Sequence, residues 1–148
     1  MFARPSYQRT VAGVAGRSRA VPDISMDAST ASGLELYATP RSVGASSRWN
    51  GAYGTSLATP LFAGVVALAD QAAGRPLGQV NPLLYRLAAQ HDPGIVDVQG
   101  PGNTFRYRGV TVKGFPAGPG YDLVTGLGTI DVAKLVPDLV RLASQEAH

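Results

Sequence analysis

Residues 54–60, which read GTSLATP, decide the fold, because an apolar run, residues 61–69, follows them directly. A turn of small residues predicts the start of a helix here. The helix is apolar nearly all round, and such a helix is expected to be buried. Ser56 lies in the first turn, where free N–H groups and the positive end of the helix dipole favour a nucleophile. We expect Thr55 to cap the helix and Pro60 to be tolerated near its start.

The composition is that of one globular domain. The chain has 148 residues, of which 45% are hydrophobic and 16% are charged, so it can form a core and is not a disordered polymer. It contains no cysteine, which excludes disulfides and thiolate metal sites.

The charge pattern and the hydropathy pattern argue against nucleic-acid and membrane partners. The net charge of +3 is spread along the chain, and its arginines form no dense block; they include Arg17, Arg19, Arg41, Arg48, Arg106 and Arg108. The longest apolar run, residues 61–69, is shorter than the ~20 residues that a membrane-spanning helix needs. The first residues lack the apolar region of a signal peptide.

Turn residues and hydrophobic periodicity predict short strands between helices. We expect irregular structure over 1–19, a hairpin of strands 21–25 and 34–37, and a loop over 39–51. A second hairpin is possible at 105–107 and 110–112, and a buried strand is expected at 95–98. Helices are predicted over 56–73, with Gly74 after its end, and over 81–88, with Asn81 as the cap. Residues 121–128 read as a compact turn, and Asp131 is expected to cap a last helix through Lys134, with a second turn resuming at Pro137.

The GTSLATP segment resembles the nucleophile segment of the subtilisin-like serine peptidases. Other stretches resemble one branch of them, the sedolisins or serine-carboxyl peptidases, over nearly the whole chain. They are FARPSYQ at 2–8, RAVPDIS at 19–25, NPLLY at 81–85, and DV at 97–98 paired with GPGYDLVTGLG at 118–128. Subtilisins lack the last pairing, so a histidine-based subtilisin is the weaker alternative. Tyr53 departs from the Ser or Gly that often stands there in sedolisins. For a bare Thr-Ser pair, a simple helix cap would be the more common role.

The resemblance implies an α/β fold, the subtilisin-like three-layer arrangement with a mainly parallel sheet. Residues 1–148 would be the C-terminal part of the catalytic domain. Ser56 would be the nucleophile. The glutamate base, its orienting aspartate and the oxyanion aspartate of the family cannot be assigned here, and are expected on the upstream part of the same domain.

Other titratable groups of the chain are expected to have structural roles. Asp23, Asp27 and Glu35 belong to the predicted hairpin region. His91, with Asp92 beside it, follows a helix in a turn, where a surface position is more common than a catalytic one.

The resemblance also implies a calcium site. Its ligands would be the carboxylates of two aspartates and the carbonyl oxygens of three further residues, in chain order Asp97, Val98, Gly118, Gly120 and Asp122. Ca²⁺ is bound by such oxygen donors. The spacing alone would favour two aspartates that merely cap turns.

The expected function is that of a secreted serine-carboxyl peptidase, an endopeptidase or a tripeptidyl peptidase, that cleaves peptides or proteins at acidic pH. A glutamate base suits acidic pH because it needs no neutral imidazole. The isolated segment is expected to be inactive and prone to self-association. The alternative is a truncated relative without catalytic competence that acts as a binding or structural module.

Overall fold

The computed structural model describes residues 2–39 and 47–146. It divides into two compact units, Met1–Ser25 with Val65–His148 (unit 1) and Met26–Gly64 (unit 2). Arg41 and residues 40–46 of the predicted loop lie outside the described residues.

Unit 2 contains a two-stranded antiparallel hairpin. Strand β1, Leu34–Ala38, confirms the prediction for 34–37, but it pairs with β2, Arg48–Ala52. Part of the predicted loop is therefore a strand. The predicted strand over 21–25 is wrong, because the N–H groups of Leu127 and Ser25 tie this segment to the turn at 121–128.

The helix that follows the GTSLATP turn is α2, Thr55–Ala73. The first backbone carbonyl that accepts hydrogen bonds from the helix is that of Gly54, and the donors are the N–H groups of Leu57 and Ala58. Gly54, with φ +77°, is therefore the N-cap instead of Thr55. Gly74 follows the last helical residue with φ +66°, as expected for a helix that ends on glycine.

Helix α2 is covered along one stripe only. Leu57, Val65 and Ala69 are buried, whereas Leu68 is 52% exposed. The sequence predicts burial all round only together with the upstream part of the domain, so that burial stays a prediction. By length and composition α2 is apolar enough to cross a membrane, which the shorter run at 61–69 did not indicate. Core helices of soluble proteins pass the same test, so this observation is weak evidence for a membrane.

The core of unit 1 lies between two helices. Helix α3, Asn81–Ala89, confirms the second predicted helix, and α4, Val132–Glu146, is the last. Helix α4 buries leucines at four- and three-residue spacing, which places them on one face. The largest buried apolar side chains of the two helices are Leu84, Tyr85, Leu87, Leu135, Leu139 and Leu142.

The cap residues of helices α3 and α4 agree with the sequence predictions only in part. The carbonyl of Asp131 accepts the N–H of Leu135 at 2.8 Å, so Asp131 caps α4 as predicted. Helix α4 then continues through Pro137 without the predicted interruption. At α3 the cap residue is Val80, whose carbonyl accepts the N–H of Leu84, and the Asn81 side chain bonds to Asp23 instead.

The N-terminal residues are helical where irregular structure was predicted. A 3₁₀ helix, Ser6–Val11, leads into the single turn α1, Ala12–Ala15. The Gln8 side chain is fully buried, and it exchanges two hydrogen bonds with the backbone of Ala20. These hydrogen bonds hold the N-terminal segment in place, and they cannot be predicted from hydrophobic periodicity.

The remaining strands form two short pairs in unit 1. Strand β3, Ile95–Val96, pairs with β6, Thr129–Ile130, and β4, Phe105–Tyr107, pairs with β5, Val110–Val112, which confirms the second hairpin. Strand β3 is shorter than predicted, and Val96 is exposed rather than buried. All strand pairs within residues 2–39 and 47–146 are antiparallel, so the mainly parallel sheet stays a prediction.

Candidate functional site

Ser56 is the second residue of α2 and is exposed to solvent. It therefore lies beside the backbone N–H groups that have no acceptor within the helix. In the part of the chain that the structure describes, no side chain hydrogen-bonds its hydroxyl. The candidate serine is therefore open to solvent at a helix N-terminus, and no base is hydrogen-bonded to it within the described residues.

The carboxylates upstream of Ser56 are used elsewhere or are exposed. Asp27 accepts hydrogen bonds from the N–H of Ser29 and the hydroxyl of Ser32, and these bonds lower the pKa of Asp27. Glu35 is exposed on β1. The contacts of Asp27 agree with the structural role expected for it, whereas the role of Glu35 stays a prediction.

His91 and Asp92 follow the end of α3. His91 is exposed and adopts a φ of +55°, as expected for a turn residue at a helix end. The Asp92 carboxylate accepts the N–H of Gly94 at 2.8 Å and lies 3.9 Å from the guanidinium of Arg141. These contacts hold Asp92 in a turn and give it no role as an orienting group for His91.

The turn over 121–128, here called the aspartate turn, is built around a buried carboxylate. Asp122 is 7% exposed, and its Oδ1 accepts the N–H groups of Val124 and Thr125, both at 2.8 Å. The backbone of Asp122 and that of Gly126 exchange two hydrogen bonds of 3.1 Å. The carboxylate is therefore held in one orientation.

Val98, another predicted calcium ligand, contacts this turn, and Asp97 and Gly120 share a cavity lining with Tyr121. The hydroxyl of Thr125 lies 3.2 Å from both carboxylate oxygens of Asp122 and 3.4 Å from the carbonyl oxygen of Val98. Asp97 and Gly120 line one cavity of about 460 Å³ together with Tyr121.

Gly118 is connected to the stretch that follows Val98 by its neighbour Ala117, which is hydrogen-bonded to Gly100. The carbonyl of Ala117 accepts the N–H of Gly100 at 3.0 Å, two residues beyond Val98. All five predicted ligands therefore belong to adjoining stretches of unit 1.

The chemistry of these donors fits a hard cation. They are carboxylate and carbonyl oxygens, which Ca²⁺ prefers. Among the described residues, the Thr125 hydroxyl is the one hydrogen-bond partner of Asp122 Oδ2. Asp97, which is exposed, accepts a hydrogen bond from Gln99 at 2.7 Å. Within the described ranges no group of three or more His, Cys, Asp or Glu side chains could hold a metal, so carbonyl oxygens would have to complete the site.

Asp23 is the residue whose importance the sequence did not reveal. It lies at the centre of a polar cluster with Arg19, Asn81 and Tyr85, beside the buried Gln8. Burial raises the pKa of the Tyr85 phenol well above its usual value. The sequence did place Asp23 in the RAVPDIS motif and Tyr85 in the NPLLY motif, but it did not indicate that these two segments contact each other.

Tyr121 stands beside the same cluster, at the start of the aspartate turn. Burial raises the pKa of Tyr121, so both phenols stay protonated at any physiological pH. The Tyr121 hydroxyl donates to the carbonyl of Pro22 at 3.0 Å.

Comparison with known proteins agrees with these features. No family model matches the chain. Kumamolisin of Bacillus sp. (strain MN-32) is 34% identical over 131 residues, which cover 88% of this chain and 21% of the relative. Sedolisin of Pseudomonas sp. (strain 101) is 36% identical over 134 residues, which cover 89% and 20%. Human tripeptidyl-peptidase 1 is 40% identical over 92 residues, which cover 59% and 16%.

A solved structure shares the fold. It is Pseudomonas sedolisin, a serine-carboxyl proteinase in complex with two molecules of pseudo-iodotyrostatin. It superposes with a TM-score of 0.74 at 34% identity, and the match covers 92% of this chain and 33% of that one.

The fold and the relatives define the class as serine-carboxyl peptidases. The chain belongs to the sedolisin family. It spans about a fifth of the length of the kumamolisin and sedolisin that it matches, as a C-terminal segment of such a peptidase would.

Proposed function

We propose that this chain supplies the nucleophile and the calcium-binding turn of a serine-carboxyl peptidase. Residues 1–148 would form the C-terminal part of its catalytic domain, and the other catalytic groups would lie on the rest of that domain. The observation that carries the proposal is an exposed Ser56 in the first turn of α2, in a chain related to peptidases.

Ser56 would attack the carbonyl carbon of a substrate peptide bond and form an acyl-enzyme. Its proton would pass to a glutamate carboxylate, and a further carboxyl group would stabilise the oxyanion. A base of this kind works at acidic pH. The substrates would be peptides or proteins, and the peptidase would be secreted.

The calcium ligands would be Asp97 and Asp122 with the carbonyl oxygens of Val98, Gly118 and Gly120. A bound Ca²⁺ would supply a cross-link between the segment at 97–98 and the aspartate turn. Binding to the folded state alone stabilises that state. The role of the site would therefore be structural.

A second candidate is a binding or structural module without peptidase activity. The observation that favours it is the absence of a hydrogen-bonded base at Ser56 within residues 2–39 and 47–146. The two candidates differ in whether a longer polypeptide containing this chain cleaves peptides.

The deciding experiment is Ser56→Ala in the complete peptidase polypeptide that contains these residues. We expect the rate of peptide hydrolysis to fall about 10⁴-fold or more, because a covalent nucleophile acts as a unit with its base. Thr59→Ala is the matched control, since Thr59 is also an exposed hydroxyl residue of α2. Retained activity after Ser56→Ala would remove Ser56 from the mechanism, and an inactive unaltered polypeptide would favour the binding module.

A further inference from the structure

Asp23 joins the N-terminal segment of unit 1 to helix α3, and the proposed chemistry does not use it. Its carboxylate accepts hydrogen bonds from the Arg19 guanidinium at 2.5 Å, the Tyr85 hydroxyl at 2.9 Å and the Asn81 side-chain amide at 2.9 Å. Gln8 donates in turn to the Tyr85 oxygen at 2.7 Å. The carboxylate is thus the common acceptor of a cationic group and two α3 side chains.

The backbone around Asp23 is bonded to both ends of the aspartate turn. The carbonyl of Asp23 accepts the N–H of Leu127 at 2.7 Å, and the N–H of Ser25 donates to the carbonyl of Gly128 at 2.9 Å. At the other end of the turn, the hydroxyl of Tyr121 donates to the carbonyl of Pro22 at 3.0 Å. Three hydrogen bonds therefore fasten residues 22–25 to this turn.

Gly126 allows the backbone of Asp23 to approach the aspartate turn closely, and it links that contact to Asp122. A Cβ at Gly126 would lie 2.3 Å from the carbonyl oxygen of Asp23, so only glycine allows this contact. Gly126 also exchanges both backbone hydrogen bonds with Asp122. A shift of the backbone at Asp23 would consequently move Gly126 and Asp122 together.

We propose that Asp23 is a positioning residue for the calcium site. Its carboxylate holds residues 22–25 against α3, and those residues hold the aspartate turn in the shape that presents the Asp122 carboxylate. This inference rests on the calcium role proposed above. Because coupling between sites is reciprocal, Ca²⁺ bound at the turn would also stabilise the Asp23 cluster.

The test is the affinity of the purified 148-residue chain for Ca²⁺ in Asp23→Asn, measured by titration calorimetry. The new amide places a donor where the carboxylate accepted bonds from Arg19 and Asn81. We expect Ca²⁺ binding to weaken about tenfold or more, as when groups that orient metal ligands are changed. Hydrogen exchange should also speed up at the Leu127 and Thr125 amides of the metal-free protein.

Two further variants make the result specific. Asp70→Asn is the matched control, because Asp70 is another carboxylate of unit 1 that accepts a backbone N–H, that of Leu77. It should leave the Ca²⁺ affinity unchanged. Tyr121→Phe removes the hydroxyl that donates to Pro22 and also interacts with the Tyr85 hydroxyl. It should weaken binding several-fold, which provides a test if Asp23→Asn does not fold.

The outcomes separate the inference from the proposed function. If Asp122→Asn abolishes Ca²⁺ binding but Asp23→Asn and Tyr121→Phe leave the affinity within twofold, the positioning role of Asp23 is wrong and the calcium site stands. If the unaltered chain does not bind Ca²⁺, both are wrong. An equal weakening in Asp70→Asn would also overturn the inference, because the effect would then reflect charge alone.

Discussion

The aspartate turn and the region around Ser56 differ in how many of the groups that each site needs are supplied by this chain. The Asp122 carboxylate is buried, and the turn around it is bonded to residues 22–25 and to Val98. Ser56 is exposed, and no described side chain hydrogen-bonds its hydroxyl. A metal-binding turn can be assembled from one stretch and its immediate neighbours, whereas nucleophilic catalysis needs a base and an oxyanion donor brought in from elsewhere.

The strands of unit 2 also expose apolar side chains of the kind that the helices of unit 1 bury. Leu36 and Tyr37 of β1 are exposed, and Trp49 of β2 is 64% exposed. In unit 1, helices α3 and α4 bury their apolar faces against each other, although the β4–β5 hairpin of the same unit also exposes Phe105 and Val110. Such exposed apolar side chains commonly mark an interaction surface. The expected self-association of the isolated chain can be checked by light scattering.

The largest effect that would sharpen this comparison concerns peptidase activity. We expect the 148 residues alone to hydrolyse no peptide at any pH, because proton transfer to a base contributes ~10²–10⁴-fold and an oxyanion donor another ~10²–10³-fold. The measurement is hydrolysis of peptide libraries across acidic and neutral pH. Cleavage that disappears in Ser56→Ala would show that a base is present after all.

The same glycine substitution should act in opposite directions in the two regions. Gly126→Ala introduces a Cβ 2.3 Å from the Asp23 carbonyl oxygen at a φ of +67°, and we expect it to destabilise the chain by about 2–4 kcal/mol. Gly64→Ala in α2 meets no atom within 4 Å, and should stabilise by about 0.5–1 kcal/mol because alanine favours helices. Chemical denaturation measures both free energies of unfolding. Equal effects would mean that the aspartate turn is not tightly held.

Calcium should stabilise the turn and leave the serine region unaffected. At a free concentration about 100 times the dissociation constant, binding contributes about 2.7 kcal/mol to folding, so Ca²⁺ should raise the melting temperature and EGTA should lower it. Asp122→Asn should remove the response, whereas Ser56→Ala should keep it. Identical melting curves with Ca²⁺ and with EGTA would exclude the site.

The smallest expected effect is a pH dependence at the start of α4. The side chain and backbone of Lys134 bond to the Asp131 carboxylate and hold the pKa of Asp131 below its ordinary value of 3.8. The stabilisation is therefore complete above that value, and it is lost as the pH falls through the lowered pKa of the folded state. Melting of the unaltered chain and of Asp131→Asn should converge only in strong acid. Curves that stay parallel throughout would show that the cap charge does not contribute.

Local patterns predicted the elements whose causes lie within a few residues. The apolar run after GTSLATP gave α2, and the leucine spacing gave α3, because side chains three and four residues apart share a helix face. The assignment of Ser56 and of the aspartate ligands came from motif resemblance, since spacing alone favoured turn caps. The helical start at Ser6–Val11 and the irregular segment at 21–25 were not predictable, because Gln8 and Asp23 are held by partners distant in the sequence.

The sequence by itself therefore determined the family, the helix that carries Ser56 and the compact turn that contains Asp122. Only the tertiary structure decided that β1 pairs with β2, that α2 is covered along one stripe, and that Asp23 joins the N-terminal segment to the aspartate turn. The physical reason is the range of the interactions. Helix periodicity and turn chemistry act between neighbours in the chain, whereas strand pairing, burial and the hydrogen bonds of Asp23 with Tyr85 and Leu127 act between residues that only folding brings together.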